Sequence, residues 1–249
     1  MTTRATKSTT AKQGTPKPKA PRDTNQYANP PKTLDEHYFY RLRLDEDQKK
    51  FRQAIWDKDI QIVFCDARAG TGKTTIAVAT ANLLVKYGLY EGITYIISPC
   101  MEGELGFLPG SAEEKTKPYA TALQQALLEC DEQPERVIIQ NGCASVKDGA
   151  YVDFIPHTFL RGTNLKNRVV ILDESQNFDI HSLKKVLTRI HDNSKAIVIG
   201  HSGQRDAFRA GDSAFKRYIE HFKPDPRAAV CELSINYRGW LANHADELY

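Results

Sequence analysis

A glycine-rich loop at residues 69–75 carries the clearest chemical signal in the sequence. It reads Ala69-Gly70-Thr71-Gly72-Lys73-Thr74-Thr75. Glycines at two positions allow the backbone to fold tightly, so that its N–H groups point at phosphate oxygens. Lys73 would reach the β- and γ-phosphates, and the hydroxyl of Thr74 can ligate Mg²⁺. The loop therefore predicts a binding site for a nucleoside triphosphate with Mg²⁺.

An acidic pair, Asp173-Glu174, is the second chemical landmark. The four apolar residues before it are typical of a buried parallel strand, and ligands bind at the carboxyl end of such strands. We expect Asp173 to hold Mg²⁺ through water, because Mg²⁺ keeps much of its hydration shell. Glu174 would orient or deprotonate an attacking water. An apolar run followed by Asp-Glu is common by itself, and the phosphate-binding loop upstream is what favours a metal site.

Four further residues are candidates for contacts around a bound nucleotide. Gln48 begins a helix before the loop, and its amide can both donate to and accept from the N7/N6 edge of adenine. Gln204 follows a buried strand, from which it can sense the γ-phosphate through a hydrogen bond. Arg161 and Arg238 are candidates for the positive charge that stabilises the transferring phosphate, from the same subunit or a neighbour. A solvated glutamine, a polar loop and surface arginines are the ordinary alternatives.

Alternating strand and helix patterns surround these residues. Short apolar runs predict strands at 60–65, 93–98, 151–155, 195–200 and 228–234, besides the run that ends at Asp173. Helical spacing predicts helices at 45–55, from the loop to a cap at Gly88, and at 111–130, 182–191 and 211–222. The pattern predicts one α/β domain with a mainly parallel sheet and helices on both faces, in three layers.

The amino-acid composition of the N-terminal segment differs from that of the rest of the chain. The 249 residues carry a net charge of +3, which argues only weakly for a polyanionic partner. Residues 1–32 are rich in Thr, Lys, Pro and Ala, so we expect a disordered basic arm before one domain at 33–249. The arm either contacts nucleic acid or only solubilises the chain. Cysteines without metal-binding spacing, and the lack of a signal peptide or membrane-spanning run, predict a cytoplasmic protein with no membrane contact.

Several motifs together resemble the PhoH family, a branch of P-loop ATPases close to superfamily 1 helicases. The resemblance covers roughly residues 44–240. Its motifs are the glycine loop, Gly106-Phe107-Leu108-Pro109-Gly110 with Lys115 and Pro118-Tyr119, Phe159-Leu160-Arg161-Gly162-Thr163-Asn164-Leu165, Val170-Ile171-Leu172-Asp173-Glu174-Ser175-Gln176-Asn177 and Leu187-Thr188-Arg189-Ile190. The Gly-Phe-Leu-Pro-Gly and Phe-Leu-Arg-Gly-Thr runs are more specific than the phosphate loop or the acidic strand. The chain departs from the family at Ala67-Arg68, Ser175 and His201, where Gly-Pro, Ala and an acidic residue are usual.

The resemblance implies a RecA-like core that hydrolyses ATP with Mg²⁺ and is linked to single-stranded RNA or DNA. It assigns adenine to Gln48, the phosphates and metal to Lys73 and Thr74, and the metal and water to Asp173 and Glu174. Superfamily 1 helicases carry two such cores, and this chain has room for one. We therefore expect a homo-oligomer, with a hexameric ring as one form. Short relatives are frequent in bacteriophages, for which the location would be the host cytoplasm.

Two alternatives to a nucleic-acid-coupled ATPase stay open at this stage. The chain could be an ATP-gated switch that binds nucleic acid with little turnover. It could also be a phosphotransferase, although kinases seldom combine an Asp-Glu pair with a sensor glutamine. Whether the γ-phosphate passes to water or to an acceptor separates these classes.

Overall fold

Six apolar runs of the sequence form one parallel sheet. The computed structural model describes residues 27, 29–34, 39–98, 120–139, 149–160, 162–203 and 214–246. The strands are β1 (Ile62–Ala67), β2 (Gly92–Ile97), β3 (Val152–Pro156), β4 (Arg168–Asp173), β5 (Lys195–Gly200) and β6 (Ala228–Leu233). They lie in the order β3-β2-β4-β5-β1-β6, and every neighbouring pair is parallel. The carboxyl ends of β1 and β4, which carry the two predicted motifs, therefore open at the same edge of the sheet.

Helices precede, connect and follow these strands. They are α1 (Glu46–Trp56), α2 (Lys73–Lys86), α3 (Thr121–Glu129), α4 (Pro134–Val137), α5 (Ile180–Leu187), α6 (Ala214–Phe222) and α7 (Trp240–Asp246). Helix α5 begins two residues before the predicted start at 182, because the side chain of Asp179 accepts a hydrogen bond from the backbone N–H of Ser182 and caps the helix earlier. Of the predicted helix at 111–130, the described residues contain the second half, α3.

The sheet has a separate hydrophobic core on each face. Side chains alternate along β1, so that Val63 and Cys65 pack on one face and Phe64 on the other. Helices α1, α2 and α3 cover the first face, and α5 and α6 cover the second. This arrangement confirms the predicted three layers. It also explains why the strands are almost continuously apolar, since both faces of the sheet are buried.

Local signals fix the ends of the two helices nearest the glycine loop. Asp45 caps α1 and forms a capping box with Gln48. Helix α2 ends in a Schellman motif: Gly88, at a φ of +71°, donates its N–H to Val85 O at 2.9 Å, and Leu89 donates to Leu84 O at 3.0 Å. The predicted stop at Gly88 is confirmed.

A short segment before α1 packs against the domain. The indole N–H of Trp56 donates to Pro31 O at 2.8 Å, and the ring of Tyr27 meets that of Tyr87 edge-on at 5.1 Å. Most of the predicted disordered arm at 1–32 lies outside the described residues, so the arm and the domain boundary stay predictions. Within the described residues, no helix is long and apolar enough to span a membrane.

A buried lysine ties the turn between α1 and β1 to the sheet. Lys195, the first residue of β5, is 1% exposed, and its Nζ donates to Asp57 O at 2.6 Å and to Ile60 O. Burial lowers the pKa of Lys195 to about 8. A neutral amine still has two N–H donors for these two carbonyls, so the contact survives deprotonation.

Lys195 therefore predicts a pH dependence of stability. Between its folded and unfolded pKa values the unfolded chain binds a proton that the folded chain has released, so the free energy of unfolding rises with pH. Relative to Lys195→Met, the wild type should gain about 2 kcal/mol from about pH 7.5 to about pH 9.5 in urea unfolding. Other titrating groups are common to both proteins and cancel in the difference. Parallel pH profiles of the two proteins would contradict the prediction.

Candidate functional site

The glycine loop links β1 to α2 at the carboxyl edge of the sheet. Gly70 and Gly72 both have a φ of +81°, a backbone region that glycine adopts without steric cost. Gly72 is the N-cap of α2, so the positive end of the helix dipole lies at the loop. Ala67, at the position where glycine is usual, is the last residue of β1 and pairs with Leu233 in extended conformation. A side chain is therefore accommodated there.

Three carbonyl groups of the loop accept hydrogen bonds, one from within the loop and two from other elements. Arg68 O accepts from the hydroxyl of Thr71 at 3.0 Å, and Gly70 O accepts from the backbone N–H of Tyr237 at 2.9 Å. Thr71 O accepts from Nε2 of Gln48 at 2.9 Å. In a trans peptide the N–H points opposite to the carbonyl of the same peptide unit. The N–H group of each of these peptides therefore faces away from the donor that its carbonyl binds. This orientation of the peptides is the one that an anion-binding loop requires.

Thr74 and Asp173, the two predicted metal ligands, are in direct contact. The hydroxyl of Thr74 donates to Oδ2 of Asp173 at 3.0 Å, which joins the start of α2 to the end of β4. A hydroxyl that donates its proton to a carboxylate keeps its lone pairs for a cation. One hydroxyl and one carboxylate beside a phosphate-binding loop form an oxygen donor set that fits Mg²⁺. Lys73 is 7% exposed, and its Nζ reaches Arg68 O at 3.4 Å.

The carboxylate of Asp173 is buried and accepts hydrogen bonds on both oxygens. Oδ1 accepts from the backbone N–H of Glu174 at 2.8 Å, and Oδ2 accepts from the hydroxyl of Tyr95 as well as from Thr74. Burial raises the pKa of Asp173, as does the charge of Glu174, while the Tyr95 hydrogen bond and the charge of Lys73 lower it. Tyr95 was missed in the sequence analysis. The available signal was a phenol within a short, mostly apolar strand.

Glu174 is exposed and is connected to the turn after β5. Its backbone lies in the left-handed region, with a φ of 50°, which is uncommon outside glycine. Its Oε2 accepts from Nε2 of Gln176 at 2.6 Å, and Oε1 of Gln176 accepts from the backbone N–H of His201 at 3.1 Å. A Cβ at Gly200 would lie 2.8 Å from Oε1 of Gln176, so a side chain there would displace this amide. Gln176, too, was not singled out as a site residue from the sequence.

Arg238 lies beside the glycine loop of its own chain. It follows β6 in a segment whose backbone binds Gly70, and a Cβ at Gly70 would lie 2.7 Å from Cγ of Arg238 and in contact with Asn236. Of the other three predicted contacts, Arg161 and Gln204 lie outside the described residues, whereas Gln48 is described.

Gln48 is buried, and both ends of its amide are already bonded within the protein. Oε1 accepts from the backbone N–H of Asp45 at 3.1 Å, and Nε2 holds Thr71 O. The segment after β6 also contacts the start of α1, since the hydroxyl of Tyr237 donates to Oδ2 of Asp45 at 2.7 Å. The start of α1, the glycine loop and the segment at 234–238 therefore form one bonded unit. No pattern in the sequence indicated the contact between Gln48 and the loop.

The outer members of the predicted loop, Ala69 and Thr75, are half-buried and flank this unit. Ser175, where the resembling family usually has alanine, is buried and donates its hydroxyl to Leu172 O at 3.0 Å. The extra polar atom is therefore satisfied inside the fold.

Comparison with known proteins decides the family. Residues 43–238 match the family described as PhoH-like protein. The chain belongs to this PhoH-like family. It is 28% identical over 221 residues to protein PhoH2 of Bacillus subtilis strain 168, covering 86% of this chain and 49% of that protein. It is 31% identical over 193 residues to protein PhoH of Escherichia coli strain K12, covering 76% and 52%.

The PhoH-like chain spans about half the length of the curated relatives that it matches. A PhoH-like protein of Synechocystis is 36% identical over 163 residues, covering 64% of this chain and 47% of that protein. Among solved structures, the large terminase of bacteriophage HK97 matches with a TM-score of 0.52 and 16% identity, covering 82% of this chain and 42% of the terminase. At that identity the likeness shows the fold alone, which is a P-loop NTPase core.

The loop geometry of the PhoH-like chain predicts a specific cost at Gly70. Gly70→Ala places a side chain at positive φ, which costs about 1–2 kcal/mol, and also against Asn236 and Arg238. Gly88→Ala is the matched control, because Gly88 also has a positive φ and nothing lies within 4 Å of its Cβ position. Urea unfolding should show a larger loss for Gly70→Ala than for Gly88→Ala. Equal losses would contradict the contact between the segment after β6 and the loop.

Proposed function

We propose that the chain binds Mg-ATP at the glycine loop and hydrolyses it. The observation that carries the proposal is the hydrogen bond from Thr74 to Asp173 at 3.0 Å, which brings the phosphate loop and the acidic strand end into one site. Thr74 would ligate the ion directly and Asp173 would hold it through water, and the bound ion would neutralise charge on the phosphates. Gln48, whose amide also donates to Thr71 O, is the proposed contact for adenine.

The proposed reaction transfers the γ-phosphoryl group to water. Glu174 accepts a proton from the attacking water, whose oxygen bonds to the γ-phosphorus while the bond to the β,γ-bridging oxygen breaks, leaving ADP and phosphate. Lys73 and the peptide N–H groups of the loop stabilise the charge on the phosphate oxygens. The hydrogen bond from Gln176 at 2.6 Å supports this role, because it fixes the carboxylate of Glu174 at the open edge. Gln204 is the proposed sensor of the γ-phosphate.

We propose further that hydrolysis is coupled to single-stranded RNA or DNA and that the chain acts as a homo-oligomer. Membership of the PhoH-like family, whose core resembles one of the two cores of a superfamily 1 helicase, supports this part of the proposal. A hexameric ring is one form of such an assembly. A switch with little turnover and a phosphotransferase are the outcomes that the following measurement would reveal instead.

Phosphate release from Mg-ATP tests the proposal, measured with and without single-stranded RNA or DNA. Glu174→Gln should keep nucleotide binding and lose about 10²- to 10⁴-fold in turnover, because only the proton acceptor is removed. Lys73→Ala should weaken nucleotide binding itself. Stimulation of the wild type by one polymer would identify the nucleic acid. Transfer of the γ-phosphate to an acceptor would identify a phosphotransferase, and binding without turnover would identify a switch.

We propose that Arg238 stabilises the transferring phosphate within its own chain. Its side chain lies against Gly70 of its own loop, so Arg238→Ala should lower turnover about 10³-fold or more while nucleotide binding is kept. Mixing Arg238→Ala with Lys73→Ala distinguishes the source of the arginine. A mixture that stays inactive agrees with supply from the same chain. Recovered turnover would show instead that a neighbouring subunit supplies Arg238.

A further inference from the structure

A buried tyrosine on the neighbouring strand reaches the metal-binding carboxylate. Tyr95 in β2 pairs in register with Ile171 of β4, and Asp173 lies two residues further along the same face. Two residues of a strand span about 6.5 Å, which is within the reach of a phenol but not of a serine hydroxyl. The hydroxyl of Tyr95 donates to Oδ2 of Asp173. The side chain is 1% exposed, so it bridges the two strands entirely inside the protein.

Packing fixes the direction of the Tyr95 hydroxyl. Its ring stacks on that of Phe154 in β3, with a centroid distance of 6.1 Å and an interplanar angle of 28°. The ring also belongs to the core under α1, α2 and α3. A buried phenol held on its faces can place its hydroxyl in few positions, and burying that hydroxyl without a partner is costly. The ring and the hydrogen bond therefore hold the carboxylate in one orientation.

The hydrogen bonds to Asp173 leave it little capacity for further contacts. An ionised carboxylate has about four acceptor positions, two on each oxygen. Tyr95 and Thr74 both donate to Oδ2, and the backbone N–H of Glu174 donates to Oδ1. The remaining acceptor position is on Oδ1. We propose that Tyr95 is a positioning residue for the Mg²⁺ site, which saturates Oδ2 together with Thr74 and leaves Oδ1 to accept from one water ligand of the ion.

This inference rests on the proposed binding of Mg-ATP and deepens it. Asp173 would act on the ion through a single water, and the orientation of that contact would be set by Tyr95 in β2. The same hydrogen bond fixes the oxygen to which Thr74 donates, so it also sets where the lone pairs of the Thr74 hydroxyl point. Loss of the Tyr95 hydroxyl should therefore weaken ion binding without altering the contacts of the loop with phosphate.

Tyr95→Phe tests this inference, because it removes the hydroxyl and keeps the ring on Phe154. The measurement is the affinity for a fluorescent, non-hydrolysable ATP analogue as Mg²⁺ is titrated, and again in EDTA. The Mg²⁺ concentration for half-maximal binding should rise about tenfold, as expected for the loss of one hydrogen bond to a charged group. The affinity in EDTA should be unchanged. Electron paramagnetic resonance of Mn²⁺ bound to the protein–nucleotide complex should show the same weakening.

Tyr151→Phe is the matched control. It also removes a tyrosine hydroxyl, one that donates to Oδ1 of Asn82 at 2.5 Å and not to Asp173. This variant should have an unchanged Mg²⁺ requirement, whatever its stability. In a background that carries Asp173→Asn, Tyr95→Phe should have no further effect on the Mg²⁺ requirement, because the hydroxyl acts through Asp173.

The outcomes separate this inference from the proposed function. A wild-type protein that fails to bind the analogue, or binds it without regard to Mg²⁺, overturns the proposed function. A wild type that needs Mg²⁺ and a Tyr95→Phe variant with the same requirement overturn only the role of Tyr95. If Tyr95→Phe does not fold, Tyr95→Met, which also lacks the hydroxyl and has a flexible side chain to fill the space, carries the same comparison.

Discussion

A carboxylate buried at the end of a parallel strand must be satisfied by hydrogen bonds, and this requirement organises the site. Asp173 is 2% exposed, and an unpaired charge at that depth would be strongly unfavourable. Its donors come from three parts of the chain: Thr74 at the start of α2, Tyr95 in β2 and the backbone of Glu174. One charge therefore holds the phosphate-loop helix against two neighbouring strands. The geometry that suits a metal ion is the same geometry that makes burial of the carboxylate tolerable.

The glycine loop is shaped from the opposite side. Gln48 of α1 donates a hydrogen bond to the carbonyl of Thr71, and the backbone N–H of Tyr237 donates one to the carbonyl of Gly70. The N–H groups of these two peptides therefore point away from Gln48 and Tyr237. Two glycines supply the positive φ values that this turn needs. The loop thus owes its anion-binding shape to contacts with elements at either end of the domain. Gln48 serves the loop structurally even before any contact with adenine is considered, and only one of the two N–H donors of its amide is used for Thr71 O.

Local patterns in the sequence predicted most of the fold, and strand order accounts for what they missed. The strand–loop–helix unit, the acid at the end of β4 and the three layers follow from short runs of residues, because burial on both faces makes each strand apolar on its own. Tyr95 meets Asp173 only because β2 lies beside β4, and Tyr237 meets Gly70 only because β6 lies beside β1. Neighbour relations of this kind depend on the whole topology. Gln176 was missed for the same reason, since its partner His201 follows β5, which lies beside β4.

The strained backbone of Glu174 lies between the contacts of Asp173 and those of the turn after β5. A left-handed backbone conformation at a residue other than glycine is unfavourable by about 1–2 kcal/mol. At Glu174 two hydrogen bonds help to offset this energy: one from its backbone N–H to Asp173, and one from Gln176 to its carboxylate. If Glu174 takes a proton during hydrolysis, as proposed, the bond from Gln176 loses its ionic partner and weakens. The other end of that amide holds the backbone of His201, at the start of the turn that leads toward Gln204. A single glutamine side chain therefore links the charge of the proposed base to the backbone that carries the proposed sensor.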